Sequence, residues 1–172
     1  MRTKFSPVIC FLAVIFLAVI FLGYTSAESA RQIIAPDFVL KDLSDKSVAL
    51  KDFRGNIILL DFWATWCPPC LKSIPELVDV QKRYKDKGVV VLGVSVDNPI
   101  QANNQYLSAF KKKYGVNYTI LRADRPMLQK YFGTLDFSIP VLFVIDKNGM
   151  AVDKHVGYAP GLVESSLKKL IK

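Results

Sequence analysis

Ile57-Ile58-Leu59-Leu60-Asp61-Phe62-Trp63 runs through Ala64-Thr65 into Trp66-Cys67-Pro68-Pro69-Cys70. The first segment is apolar on both alternate faces apart from Asp61, which predicts a central β-strand covered on both sides. From Pro68 the pattern turns helical, and proline is tolerated in a first helical turn. A strand that ends in a cysteine pair at a helix start sets a thiol at the helix N-terminus. There, unpaired backbone N–H groups and the positive end of the helix dipole stabilise a thiolate, and a second cysteine one turn on can resolve a mixed disulfide. The arrangement points to redox chemistry.

Other uses of the pair fit less well. A zinc site needs about four ligands, yet the rest of the chain offers only Cys10, inside a hydrophobic run, and the single histidine, His155. A disulfide across two intervening residues closes too small a loop to stabilise much through chain entropy. A copper relay would have only His155 as a further ligand. The expectation is therefore no metal, and no cofactor besides the Cys67-Cys70 pair itself.

The 172 residues suit one domain with a real core. Lys and Arg exceed Asp and Glu by 23 to 15, but they are scattered, with no basic stripe interleaved with aromatics, so nucleic acid is not an expected partner. Lys111-Lys112-Lys113 reads as the solvated face of a helix whose other face carries Ala102, Tyr106, Phe110 and Tyr114. Arg2 and Lys4 precede an apolar stretch from Val8 to Tyr24, followed by the small residues Thr25-Ser26-Ala27. This is an export pattern, longer than the ~7–15 residues of a signal-peptide core and at the ~17-residue lower limit of a membrane span. Residues 1–27 are read as a signal peptide or membrane anchor, with membrane attachment through residues 8–24, and 28–34 as a linker. The domain of 35–172 then lies outside the cytoplasm, in the bacterial periplasm or on the outer face of the cytoplasmic membrane. With Cys10 set aside as a small hydrophobe, the exported part holds one cysteine pair and no structural disulfide.

Along that domain, Phe38 to Leu40 and Val48 to Leu50 predict an N-terminal hairpin. A helix is expected from Pro68 to about Lys85 and a buried strand from Val89 to Val96. Next come a helix from about Ile100 to Tyr114, a strand from Tyr118 to Leu121 and a short helix from Pro126 to Phe132. Val141 to Ile145 and Ala151 to Val156 form a hairpin across Asn148-Gly149, and Leu162 to Ile171 closes as an amphipathic helix. The order implies a mixed central sheet with helices on both faces. With Cys-x-x-Cys at the first central strand-to-helix junction, this is the thioredoxin-like α/β arrangement.

Four blocks carry a resemblance over about residues 35–172: Ala35-Pro36-Asp37-Phe38, Leu50-Lys51-Asp52-Phe53-Arg54-Gly55, Phe62 through Cys70, and Ile139-Pro140 before Val141 to Asp146. In that order they resemble the exported, often membrane-tethered thiol-disulfide oxidoreductases of the TlpA/ResA type. The resemblance implies a central insertion from about Asp97 to Leu121, Cys67 as the exposed attacking thiol and Cys70 as the resolving one. It implies a cis bond before Pro140, setting the Ile139 backbone beside the disulfide to pair with a substrate strand. Asp61 would sit behind Cys70 and take its proton, and a buried carboxylate there should have a raised pKa. Trp66 would shape the docking surface, and Trp63 would be core. Many relatives carry a glutamate three residues after the second cysteine; this chain has Ser73.

The function so implied is reduction of disulfides in exported proteins, apocytochrome c among them, with electrons from a membrane partner. A peroxidase related to the peroxiredoxins would need a threonine three residues before its cysteine, and Thr65 is two before Cys67. A non-enzymatic copper-binding module is the remaining alternative.

Overall fold

The computed structural model describes residues 33–171. The segments read as export signal and most of the linker, and Cys10, lie outside these residues. Strand β4 (Ile57–Trp63) is buried at every position, as its two-sided apolar pattern requires. It pairs in parallel with β5 (Val89–Ser95) and antiparallel with β7 (Val141–Ile145). The other strands are β1 (Ile33–Ile34), β2 (Val39–Asp42), β3 (Ser47–Ala49), β6 (Thr119–Arg122) and β8 (Met150–Val156), and the sheet order is β1-β8-β7-β4-β5-β6-β2-β3. Among the described residues the α-helices are α1 (Pro68–Tyr84), α2 (Asn104–Lys113), α3 (Arg125–Phe132) and α4 (Leu162–Leu170).

The two faces of β4 divide the core. Leu59 and Trp63 pack with Cys70, Ile74, Leu77 and Val80 of α1, Leu107 and Phe110 of α2, and Val163 and Leu167 of α4. Ile58, Leu60 and Phe62 pack with Leu40, Leu50, Met127 of α3, Val141 and Phe143. Each such aliphatic or aromatic side chain contributes roughly 1.5–3 kcal/mol by leaving water. α1, which carries the redox pair at its N-terminus, is thus clamped to the sheet by the apolar turns beyond Cys70.

Three details depart from the sequence reading. Ile33–Ile34, assigned to the linker, form an edge strand against Ala151 and Met150 of β8. The helix expected from Ile100 begins four residues later, because Asn98 Oδ1 accepts the Ile100 N–H in a turn and Asn103 Oδ1 caps α2 through the Tyr106 N–H. With that start, Leu107 and Phe110 face the core, while Tyr106 and Tyr114 are exposed and Ala102 is buried ahead of the helix. Lys111 is not simply solvated, since its Nζ donates to the Tyr118 carbonyl at 2.7 Å. The expected hairpin β2–β3 is present and joins the sheet through β6, the last strand of the segment read as an insertion.

Candidate active site

α1 begins where β4 ends. Cys67 is its N-cap, in extended conformation, and Pro68 and Pro69 occupy the next two positions. Cys67 and Cys70 are joined as a disulfide, with Cα atoms 5.2 Å apart. Of the N–H groups that a helix start presents to its cap, the two prolines have none, and the Cys70 N–H points at Cys67 Sγ at 3.3 Å. Cys70 is fully buried, and Cys67 is 3% exposed. The expectation of an exposed Cys67 is corrected for this oxidised state: its sulfur is covered by the Ile139–Pro140 segment, whose peptide bond is cis and whose Ile139 carbonyl oxygen lies 3.8 Å from Sγ. Trp66, beside it, is 67% exposed.

Asp61 lies on the same face of β4 as Leu59 and Trp63, toward α1. It is 1% exposed, and among the described residues its Oδ2 has no hydrogen-bond partner. Burial pushes its carboxyl up to about 7. A cavity of about 20 Å³ opens between it and the second turn of α1, where Ser73 lines the wall. Ser73, at the position where the resemblance leads one to expect a glutamate, is buried and donates its hydroxyl to the Cys70 carbonyl at 2.8 Å. It ties the helix turn rather than supplying charge.

Sequence reasoning missed Asp97. Both of its oxygens accept the Thr65 N–H at 3.1 Å, Oδ1 accepts the Thr65 hydroxyl at 2.7 Å, and Oδ2 accepts the Ser95 hydroxyl at 2.8 Å. Arg122 closes the far side of this loop by donating to the carbonyls of Ala102 and Asp97. The clue was the strand pairing: Trp63 opposes Ser95 in a parallel ladder, so the residues two beyond each strand end meet at one edge. In open α/β sheets that edge is where sites assemble. The single histidine, His155, is largely buried, with Nε2 2.9 Å from Ser166 Oγ.

The structure thus brings Cys67, Cys70 and Ile139 into direct contact, sets Asp61 beneath α1 and leaves Trp66 on the rim. Residues 32–153 match the AhpC/TSA family. The thiol-disulfide oxidoreductase ResA of Bacillus cereus (strain ATCC 10987 / NRS 248) is 33% identical over 151 residues, 86% of this chain and 84% of that protein. ResA of Bacillus subtilis (strain 168) is 35% identical over 153 residues, 87% of this chain and 79% of its own. A crystal structure of a thiol:disulfide interchange protein, a thioredoxin family protein from Chlorobium tepidum TLS, superimposes with a TM-score of 0.72 at 27% identity, covering 84% of this chain and 99% of that one. Fold, cysteine placement and relatives agree that the chain belongs to the AhpC/TSA family and to the ResA-like, thioredoxin-fold thiol-disulfide oxidoreductases.

Proposed function

We propose that this oxidoreductase works outside the cytoplasm as a reductase of disulfides in exported proteins with cysteine pairs, such as apocytochrome c. The observation that carries the direction of electron flow is the sparse helix start at Cys67. With Pro68 and Pro69 lacking N–H groups, the Cys70 N–H is the donor to Cys67 Sγ. A thiolate with few donors is weakly stabilised, so the reduced form gives up electrons readily.

The reaction balances within the dithiol. Cys67 thiolate attacks a substrate disulfide, forming a mixed disulfide and releasing one substrate thiolate. Cys70 then loses its proton to Asp61 and attacks Cys67 Sγ. The Cys67–Cys70 bond forms, the bond to substrate breaks, and a second substrate thiolate leaves. Two electrons have passed to the substrate, and a dithiol donor at the membrane, towards which residues 8–24 direct the chain, returns them. Ile139 and Trp66 flank the attacking sulfur and serve as the substrate-docking surface, the Ile139 backbone offering polar groups to an extended chain. No metal or further cofactor enters, and nucleic acid is not a partner.

Trapping with Cys70→Ser tests the reading. Without the resolving thiol, mixed disulfides on Cys67 persist, and mass spectrometry of complexes formed in the exported fraction identifies the substrates. Exported proteins with cysteine pairs are the expected catch. Recovery of cytoplasmic proteins alone, or conversion of Cys67 to a stable sulfenic acid by peroxide at enzymatic rates, overturns it.

A further inference from the structure

Cys70 is fully buried, so an incoming thiol has to reach the disulfide at Cys67, and yet Cys67 is itself almost wholly buried. The backbone of Ile139 stands over it, with the carbonyl oxygen 3.8 Å from Sγ. Thiol–disulfide exchange needs contact between the attacking sulfur and the sulfur attacked, so its rate depends on how often that cover lifts. Ile139 belongs to a strap, residues 133–139, that joins α3 to β7.

Both ends of the strap are fixed. At one end Gly133 closes α3, its N–H donating to the Gln129 carbonyl at 2.9 Å and its carbonyl accepting from the Gln129 side-chain amide at 2.6 Å. At the other end the Pro140 carbonyl accepts the Gly157 N–H at 2.8 Å, and β7 begins. Between them Thr134, Leu135, Asp136 and Ser138 are exposed. The hydrogen bond found there among the described residues, from the Asp136 N–H to Thr134 Oγ1 at 3.1 Å, stays within the strap. Two side chains hold the middle. Ile139 is half-buried and packs against both halves of the core. Phe137 is half-buried as well, and its ring lies flat on that of Phe132, with planes 4° apart and centroids 3.9 Å apart. Phe132 is anchored in turn: its ring meets Phe62, buried on β4, edge-on at 4.8 Å and Phe143 of β7 at 6.1 Å. The stack ties an otherwise solvated strap to the core, two residues before the carbonyl that covers Cys67.

We propose that Phe137 is a positioning residue that sets the specificity of disulfide exchange: stacked on Phe132, it latches Ile139 over Cys67 and holds small diffusing thiols off the disulfide. The proposal rests on the reading of Cys67 as the reacting sulfur and is the same for either direction of net electron flow. When the stack parts, a free thiolate attacks Cys67 Sγ, the Cys67–Cys70 bond breaks, and Cys70 leaves as a thiolate that takes up a proton. A second thiolate then displaces the first from Cys67, which leaves as a thiolate and is protonated. Two thiols have become one disulfide, and the cysteine pair has gained two electrons. Phe137 acts through Ile139, by setting the fraction of molecules in which the sulfur is reachable.

The test is the rate at which glutathione reduces the oxidised full chain, followed by acid quench and mass spectrometry, with the equilibrium constant in glutathione buffers measured alongside. Phe137→Ala should raise the rate by about tenfold, the upper end of what one stacked aromatic pair contributes to an equilibrium. The equilibrium constant should not change, because a latch that opens more often speeds both directions alike. Phe137→Tyr, which keeps the ring face, should react at the wild-type rate. Phe132→Leu should also raise the rate, and adding Phe137→Ala to it should raise it no further, since the two rings act as one pair. Phe137→Leu should show a smaller rise and decides the matter if Phe137→Ala does not fold. A wild-type rate in folded Phe137→Ala overturns the latch. A faster rate matched by an equal change in the equilibrium constant overturns it too, because the side chain would then act on the Cys67 thiolate rather than on access. A full second increment in the double variant does the same. The transient glutathione adduct should map to Cys67, and an adduct on Cys70 overturns the reading of the reacting sulfur and the latch together.

Discussion

The carboxylate of Asp97 holds Thr65 by both its backbone N–H and its hydroxyl, at 3.1 and 2.7 Å. Thr65 is two residues before Cys67, so this clamp fixes the loop that delivers the redox pair to the head of α1. Asp97 is itself buried and tied back to Ser95. The attacking sulfur is therefore positioned from β5 as well as from its own strand.

Asp97→Ala should lower stability by about 3 kcal/mol, because charge-assisted bonds are lost, the part-buried Thr65 N–H loses its acceptor, and the buried Ser95 hydroxyl loses the acceptor for its proton. The urea midpoint of the oxidised protein reads this. An unchanged midpoint would make the clamp energetically idle.

Asp61 should make stability fall as pH rises. Its carboxyl titrates near 3.8 when exposed and at about 7 in the fold, so between those values the native state binds more protons than the unfolded one. The slope of unfolding free energy with pH is then negative. The native state is relieved of this cost below pH 4 and bears it in full above pH 8, where it amounts to roughly 4 kcal/mol at 1.36 kcal/mol per pH unit. Asp61→Asn should flatten that slope and stabilise the oxidised protein at pH 8. Parallel slopes for wild type and variant in urea titrations at several pH values would place the titration elsewhere.

Pro69→Ala should restore one N–H donor to the helix start. With a second bond to Cys67 Sγ the thiolate is better stabilised, its pKa should drop by about one unit, and the potential should rise by about 30 mV from a wild-type value below about −200 mV. Equilibration with glutathione measures both proteins. A wild-type potential near −120 mV would make the protein a disulfide-introducing enzyme instead.

Gly93→Ala probes the wall opposite Asp61. A Cβ there would stand 3.0 Å from both Trp63 Nε1 and Tyr118 Cε2, which belong to two buried rings. Overpacking of this kind costs about 1–3 kcal/mol. A thermal midpoint equal to the wild type would show that the rings yield.

Local pattern made much of this protein legible in advance. The two-sided apolar run of Ile57–Trp63 points to a covered strand, the Cys67-Pro68-Pro69-Cys70 step to a helix start, and the one acid within that strand to a core position where a carboxylate is hard to ionise. Those conclusions depend on residues within one or two turns of each other, where periodicity and backbone chemistry act directly. The partners of these residues come from far along the chain. Asp97 finds Thr65 because β4 and β5 run parallel and in register, and His155 joins the Asp61 cavity because β8 and β7 carry it to the same face. The start of α2 differs because two asparagine caps outweigh apolar periodicity, whereas the Ile139 backbone does lie beside Cys67 as the resemblance implies, brought there by the long return of the chain to the head of α1. Sheet order and register are set by the packing of whole faces against each other, and no short window of sequence contains both sides of that contact.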